Sequence, residues 1–273
     1  MKKYFITSDI HSFYEPLKTA LTKAGFDINN PEHIFVCCGD FFDRGEETKE
    51  VFNFIKSIPQ DRRILIKGNH ELLYNELLNK SFPADYDFSN GTVKTFFTIA
   101  GYNEQMLTRH YWYDLAYKTR QDSDLFANRP FETWNEVKNI VSEHPITKWI
   151  NSSEFKWYWE TNNYIFVHSF IPLGFNSIYR EDWRNAVTFE WKDAVWGCPW
   201  GYAMQGLNKT GKTIVCGHWH TSDFFNHLRN SKKRYDTNNN PIFKSKKYKI
   251  IGLDACTALT NKVNILVLNE DEL

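Results

Sequence analysis

The chain has 273 residues, 42% of them hydrophobic and 17% aromatic, and its 33 basic side chains balance 33 acidic ones. That is ample apolar material for a large core, and a zero net charge gives no global field that would draw nucleic acid or a membrane surface. No segment approaches the ~20 consecutive apolar residues of a membrane span. The stretch Tyr4-Phe5-Ile6 is too short to read as a signal peptide before Asp9 interrupts it.

In chain order, Lys3 to Ser8 reads as a strand that ends in a loop carrying Asp9-x-His11. Pro16 to Ala24 is predicted to be a helix closed by Gly25. The apolar run Ile34-Phe35-Val36-Cys37-Cys38 predicts a buried strand, and Gly39-Asp40-Phe41-Phe42-Asp43-Arg44-Gly45 follows it directly. Glu46 to Ser57 is again helical. A third strand, Arg63 to Ile66, delivers Gly68-Asn69-His70-Glu71, after which a helix is expected from Leu72 to Leu78. Repeated strand-loop-helix units predict an α/β architecture.

The rhythm changes from Asn79 to Thr161. Tryptophans 112, 134, 149, 157 and 159 are spread through that stretch, and its apolar content is too high for a disordered linker. The expectation is a single domain over 1–273 with a helical cap inserted over 80–160, its helices near Glu104–Tyr117 and Glu132–Glu143. Near the start of the insertion, Asn90-Gly91-Thr92-Val93-Lys94-Thr95 reads as a turn. Strands resume with Tyr164–Val167 before His168-Ser169, and Lys212–Cys216 leads to Gly217-His218-Trp219-His220. Lys249–Leu253 and Val263–Leu268 are expected as closing antiparallel strands. The basic residues Lys232, Lys233, Arg234, Lys244, Lys246, Lys247 and Lys249 read as a solvated hairpin. Five cysteines are present, and Cys37, Cys38, Cys216 and Cys256 lie in or beside apolar runs. They read as reduced core residues of a cytoplasmic protein and not as a disulfide framework.

Of nine histidines, five (His11, His70, His168, His218, His220) stand directly after an apolar strand or its terminal glycine. A lone histidine there is usually packed or hydrogen-bonded. Five in one context, with Asp9, Asp40, Asp43 and Asn69 among them, point to metal ions, and strand carboxyl ends are where α/β folds place ligands. Imidazole plus carboxylate suits Mn, Fe and Zn, and a structural zinc would call for clustered cysteines. About seven such donors suit two ions better than one. Arg44 adds a guanidinium able to grip phosphate oxygens bidentately. His33, His110, His144 and His227 lack this setting and read as structural or surface residues.

The set Asp9-x-His11, Gly39-Asp40-x-x-Asp43-Arg44-Gly45, Gly68-Asn69-His70-Glu71, Val167-His168 and Gly217-His218-x-His220 resembles the calcineurin-like metallophosphoesterases, and within them the bacterial and bacteriophage-type serine/threonine phosphatases. The resemblance runs from residue 9 to 220 in the family's order. It implies a four-layer α/β/β/α sandwich of two mixed β-sheets around a dinuclear metal centre. Asp9, His11 and His220 would hold one ion, Asn69, His168 and His218 the other, and Asp40 would bridge them. Manganese is the first expectation, with iron or zinc as alternatives. Metal-activated water would attack phosphorus in line, His70 would protonate the leaving oxygen with Asp43 orienting it, and Arg44, Asn69 and His70 would bind the phosphoryl group.

Trp196-Gly197-Cys198-Pro199 is similar to a family segment, but the second phosphate-binding arginine expected near it is missing. The expected activity is hydrolysis of phosphomonoesters, with phosphoserine or phosphothreonine protein or a small phosphoester as substrate and no membrane or nucleic-acid partner. The alternatives are a nucleotide hydrolase acting on dinucleoside polyphosphates, and an inert binding module on the same fold. An inert module would have lost ligands, and here none of the set is missing.

Overall fold

The computed structural model describes residues 1–102, 129–229 and 236–273. Strands in chain order are β1 (Lys3–Thr7), β2 (His33–Cys37), β3 (Arg63–Ile66), β4 (Phe155–Lys156), β5 (Tyr158–Glu160), β6 (Tyr164–Val167), β7 (Thr213–Cys216), β8 (Phe243–Ser245), β9 (Ile250–Gly252) and β10 (Leu266–Asn269). Helices are α1 (Tyr14–Ala24), α2 (Thr48–Ser57), α3 (Asn69–Asn79), α4 (Asp85–Ser89), α5 (Thr92–Ala100), α6 (Arg129–Glu143), α7 (Pro145–Ile150), α8 (Thr188–Ala194), α9 (Pro199–Met204), α10 (Thr221–Leu228) and α11 (Thr257–Thr260).

Successive side chains of a strand face opposite sides of its sheet, and here both sides are apolar, so each sheet is covered on both faces. Ile6, Val36, Cys38 and Ile66 share one cluster with Phe166, Val215 and Ile251, which is the layer between two sheets. Their strand neighbours Phe5, Phe35 and Leu65 face the other way, onto Leu17, Val51, Leu77, Phe96 and Trp134. Ile165, Val167, Ile214 and Ile250 do the same in the second sheet, against Trp183, Trp191 and Phe224. Fully burying one such side chain stabilises the fold by about 1.5–3 kcal/mol. The result is the expected four-layer α/β/β/α sandwich.

The first sheet has the order β10-β1-β2-β3-β4 and the second β5-β6-β7-β9-β8. β1, β2, β3 and β4 run parallel, with β10 antiparallel to β1. β6, β7 and β9 are parallel, flanked by antiparallel β5 and β8. β10 is thus the expected antiparallel closing strand, at an edge of the first sheet, whereas β9 differs from expectation: it is an inner strand of the second sheet and runs parallel to β7. Ile250, Ile251 and Leu253 are buried on both faces, as an inner parallel strand requires.

Two helix starts also differ. α3 begins three residues early, at Asn69, because the Glu71 carboxylate accepts from the Gly68 N–H at 2.7 Å and caps it. α2 begins at Thr48 because the preceding residues are held in the loop, where the Glu47 N–H donates to the Ser12 carbonyl at 3.0 Å. α1 ends as expected, at Gly25 with φ of 84°.

Within 80–160, α4 to α7 are helical, and Trp134, Val137, Ile146 and Trp149 join the core outside the first sheet. The same stretch also contributes β4 to the first sheet and β5 to the second. The expected helix near Glu104–Tyr117, with His110 and Trp112, lies outside the described residues, as do Lys232, Lys233 and Arg234. Lys244, Lys246, Lys247 and Lys249 are exposed on the β8–β9 hairpin. Among the described residues the five cysteines are free thiols, and no helix is long and apolar enough to cross a membrane.

Candidate metal centre

The loops that follow β1, β2, β3, β6, β7 and β9 meet at the carboxyl ends of both sheets. Their backbones are sharply folded. Asp9, His11, Ser12, Asp40, Asp43, Arg44, His218 and Cys256 all have φ between 51° and 75°, a region that costs a residue with a side chain about 1–3 kcal/mol. Gly39, with φ of 95°, is needed twice over, since a Cβ there would sit 2.6 Å from His168 Nδ1. At Gly217 a Cβ would sit 2.0 Å from an Asp9 carboxylate oxygen.

Asp40 is the hub, and only 2% of its surface is exposed. His11 Nδ1–H donates to the Phe42 carbonyl at 3.0 Å, and His168 Nδ1–H donates to the Cys38 carbonyl at 2.8 Å. A carbonyl only accepts, so in each neutral ring the Nε2 lone pair is left free. His11 Nε2 stands 3.7 Å from Asp40 Oδ2, and His168 Nε2 stands 3.5 Å from Oδ1, on the other side of the carboxylate. Asn69 Oδ1 is 2.8 Å from the same His168 nitrogen. Lone pairs thus converge with no hydrogen between them, which is the arrangement a cation resolves.

Possible ligand atoms of His11, Asp40 and His70 lie within 4.8 Å of one another, and so do those of Asp40, His168 and His218. Two such groups sharing one carboxylate fit two ions better than one. Charge points the same way. Burial and the Asp40 charge raise the Asp9 carboxyl to about 7. Burial and the neighbouring His168 lower His218 to about 3, and burial with Arg44 puts His11 well below its usual range. Burial by itself would raise Asp40, but the surrounding imidazoles outweigh it and hold that carboxyl low. Buried carboxylate oxygens and imidazole nitrogens converge here, and divalent metal ions suit that donor set.

Two expected ligands of the first ion also meet protein partners. The Asp9 carboxylate accepts from the His218 backbone N–H at 3.1 and 3.2 Å. His220 Nε2 lies 4.0 Å from Asp254 Oδ2.

His70 stands beside the hub. Its Nδ1 is 2.7 Å from Asp43 Oδ2, and its Nε2 faces Asp40 Oδ2 at 3.9 Å and Arg44 Nη2 at 3.4 Å. Burial lowers the His70 pKa, yet the Asp40 and Asp43 carboxylates outweigh burial and raise it. Arg44 itself is exposed.

The family model for calcineurin-like phosphoesterases matches residues 2–222. The chain is a calcineurin-like phosphoesterase. No curated protein matches it significantly. Among solved structures, a cold-active protein tyrosine phosphatase aligns with 99% of this chain and 75% of its own, at 16% identity and a TM-score of 0.54. A point mutant of that enzyme gives 99%, 76%, 16% and 0.52 in the same order. A protein serine/threonine phosphatase from Saccharomyces cerevisiae covers 92% of this chain and 66% of its own, at 16% identity and 0.47. At such identities the likeness is one of fold. Family membership makes this phosphoesterase a metal-dependent hydrolase of phosphoester bonds.

Several residues of the phosphoesterase site were given no role by the sequence. Glu71, 2% exposed, accepts from the backbone N–H groups of Gly68 at 2.7 Å, Phe41 at 3.0 Å and Asp40 at 3.1 Å. Thr257 donates to the Asp9 carbonyl at 2.8 Å. Asp254 is raised to about 7 by burial and Asp9. It follows an apolar strand, as the expected ligands do, and that position was its one signal.

Among the described residues, the arginines that shortly precede Trp196 are engaged elsewhere. Arg180 pairs with Asp182 and Glu190, and Arg184 with Glu160. Trp196 is 48% exposed and stands edge-on to His218, ring centroids 6.0 Å apart. The histidines set aside have local roles. His33 accepts from Asp27 N–H, His144 accepts from Ile146 N–H at the start of α7, and His227 stacks on Trp200 at 3.9 Å.

Proposed function

We propose that this phosphoesterase hydrolyses phosphomonoesters, that phosphoserine or phosphothreonine protein is its substrate class, and that His70 protonates the leaving oxygen. The observation that carries this reading is the His70 imidazole, anchored at Nδ1 on Asp43 and open at Nε2 toward the Asp40 cluster. Asp9, His11 and His220 are assigned to one ion and Asn69, His168 and His218 to the other, with Asp40 between them. Manganese is the first candidate and iron or zinc the alternatives. Ions bound there supply Lewis acidity and lower the pKa of water to about 7.

Arg44, exposed at the rim, binds phosphoryl oxygens together with Asn69 and His70. The protonated Nε2 of His70 gives its proton to the departing oxygen, while Asp43 holds Nδ1–H and keeps the ring plane fixed. The exposed Arg44 and Trp196 leave the rim open to a side chain on a protein surface, which supports the phosphoprotein reading. The name of the cold-active tyrosine phosphatase is in keeping with it. We assign one domain to 1–273, with 80–160 as its insertion acting in substrate selection, and the free thiols support a cytoplasmic setting.

The test compares substrates and leaving groups. The manganese-loaded protein is given phosphopeptides, diadenosine tetraphosphate and a cyclic nucleotide side by side, and phosphopeptide turns over fastest. H70N retains both ions but loses roughly 10²–10⁴ in turnover on an alkyl phosphate. The loss is smaller on a nitrophenyl ester, whose leaving group barely needs a proton. Loss of an ion in H70N, or equal slowing of both esters, removes His70 from the acid role.

A further inference from the structure

The His70–Asp43 pair is not self-supporting. Asp43, 1% exposed, has its carboxylate fixed from a part of the chain some fifty residues later. Thr92 Oγ1 donates to Asp43 Oδ2 at 2.8 Å, and Thr95 Oγ1 donates to Oδ1 at 2.6 Å. Neither threonine has any exposed surface. With His70 also on Oδ2, both carboxylate oxygens are engaged, and the group cannot turn about its Cβ–Cγ bond without breaking one of these contacts.

Both threonines lie in the first turn of α5. That turn is pressed onto the Asp43–Arg44 loop because its cap, Gly91, has φ of 84° and no side chain. A Cβ there would sit 2.4 Å from the Arg44 backbone nitrogen. Lys94 Nζ adds a bond to the Arg44 carbonyl at 3.2 Å and a contact with Glu46 at 3.0 Å.

We propose that Thr92 and Thr95 are positioning residues for phosphoryl transfer: their hydroxyls lock the Asp43 carboxylate, and through it the His70 ring, in line with the leaving oxygen. This rests on the acid role proposed for His70. A carboxylate held on one oxygen alone could swing, and the imidazole hydrogen-bonded to it would swing too. Misplacement of a catalytic group by about 1 Å is enough to cost 10²-fold in rate. The insertion thereby takes part in the chemistry without touching an ion.

The experiment uses the isosteric variants T92V and T95V, which remove a hydroxyl and keep the volume, and the conservative variants T92S and T95S. On an alkyl phosphate, kcat is expected to fall about tenfold or more in T95V, which frees Oδ1, within the 10²–10⁴ that the acid supplies, and by a smaller factor in T92V, where Oδ2 keeps only His70. KM and the two bound ions, read by elemental analysis, stay unchanged. On nitrophenyl phosphate the fall is smaller, and the serine variants restore most of the lost kcat. Should T95V fail to fold, T92V and the serine series carry the same comparison. Equal losses on both esters, a change confined to KM, or loss of an ion would overturn the proposal. H70N run alongside separates the two ideas. If H70N shows the leaving-group dependence and the valine variants do not, the threonine role alone falls. If H70N lacks it, the acid assignment falls first.

Discussion

Glu71→Gln probes how the Asp40 carboxylate is held. Three backbone N–H groups, from Gly68, Asp40 and Phe41, point at the Glu71 carboxylate, and Asp40 sits at a left-handed φ of 57° between them and the cluster. Glutamine retains one oxygen, which can keep the Gly68 and Asp40 bonds, but it turns an NH₂ toward the Phe41 N–H. Losing that bond and leaving its donor unsatisfied costs about 1–3 kcal/mol. The opposing effect is electrostatic. Burial and the Asp40 charge raise the Glu71 carboxyl from 4.5 to about 7, so its ionised form is disfavoured by about 3 kcal/mol. Glutamine removes that repulsion.

The two magnitudes nearly cancel, so the metal-free fold should change stability by less than about 2 kcal/mol. Ion affinity should fall about 10–100-fold, as for other residues that orient ligands from behind. pH adds a second signature. A carboxyl raised in the folded state binds more protons there than in the unfolded chain, so the metal-free protein loses stability as pH rises from about 4.5 to about 7. Asp9 and Asp254 act in the same direction, and E71Q should flatten the slope in part. Chelator competition gives the affinity, and thermal unfolding across pH gives the slope. Unchanged ion affinity with a fully retained slope would refute the reasoning.

Excess chelator should abolish turnover and Mn²⁺ restore it, and D40N should lose ions and activity together whatever the leaving group; metal-free protein with full activity would contradict this. Glu160, hydrogen-bonded to Arg184 and paired with Lys212, is depressed to about 2. Its stabilisation is therefore present above pH 4.5 and lost as pH falls through about 2; solvent screening limits it to ~1 kcal/mol. E160Q should show a smaller acid-induced loss in denaturant titrations. Trp134, with no exposed surface and stacked on Phe96 at 5.8 Å, joins the insertion to the core. W134A should cost about 3–5 kcal/mol in urea unfolding, and a cost under ~1 kcal/mol would mean that the site collapses freely.

The strand ends and their histidines were legible because a short apolar run followed by His or Asp is a local pattern. So was the Asp40 hub, since Gly39 and Gly45 bracket it. Glu71 was visible but unreadable, because its partners are backbone amides of another loop and no side-chain pattern encodes them. Thr92 and Thr95 lie forty-nine and fifty-two positions from Asp43, so their role exists only in three dimensions. The sheet membership of β9 and β10 was hidden for a related reason. Both read as apolar strands, and only burial on both faces of Ile250–Leu253 marks one as an inner strand. The first turn of α3 was misplaced because propensity at Asn69 and His70 is weak, and the cap that decides it comes from Glu71.

The folded-over loops have a consequence for how this chain can drift. Eight residues with side chains hold left-handed backbone around one crowd of buried carboxylates, and each such position costs about 1–3 kcal/mol. Taken as scaffold alone, the site is frustrated. A glycine at Asp40 or Asp43 would relax the backbone and thin the charge, so substitutions that destroy the centre are among those that would make the bare protein sturdier. A sandwich that served only to bind a partner would have every thermodynamic reason to shed these residues.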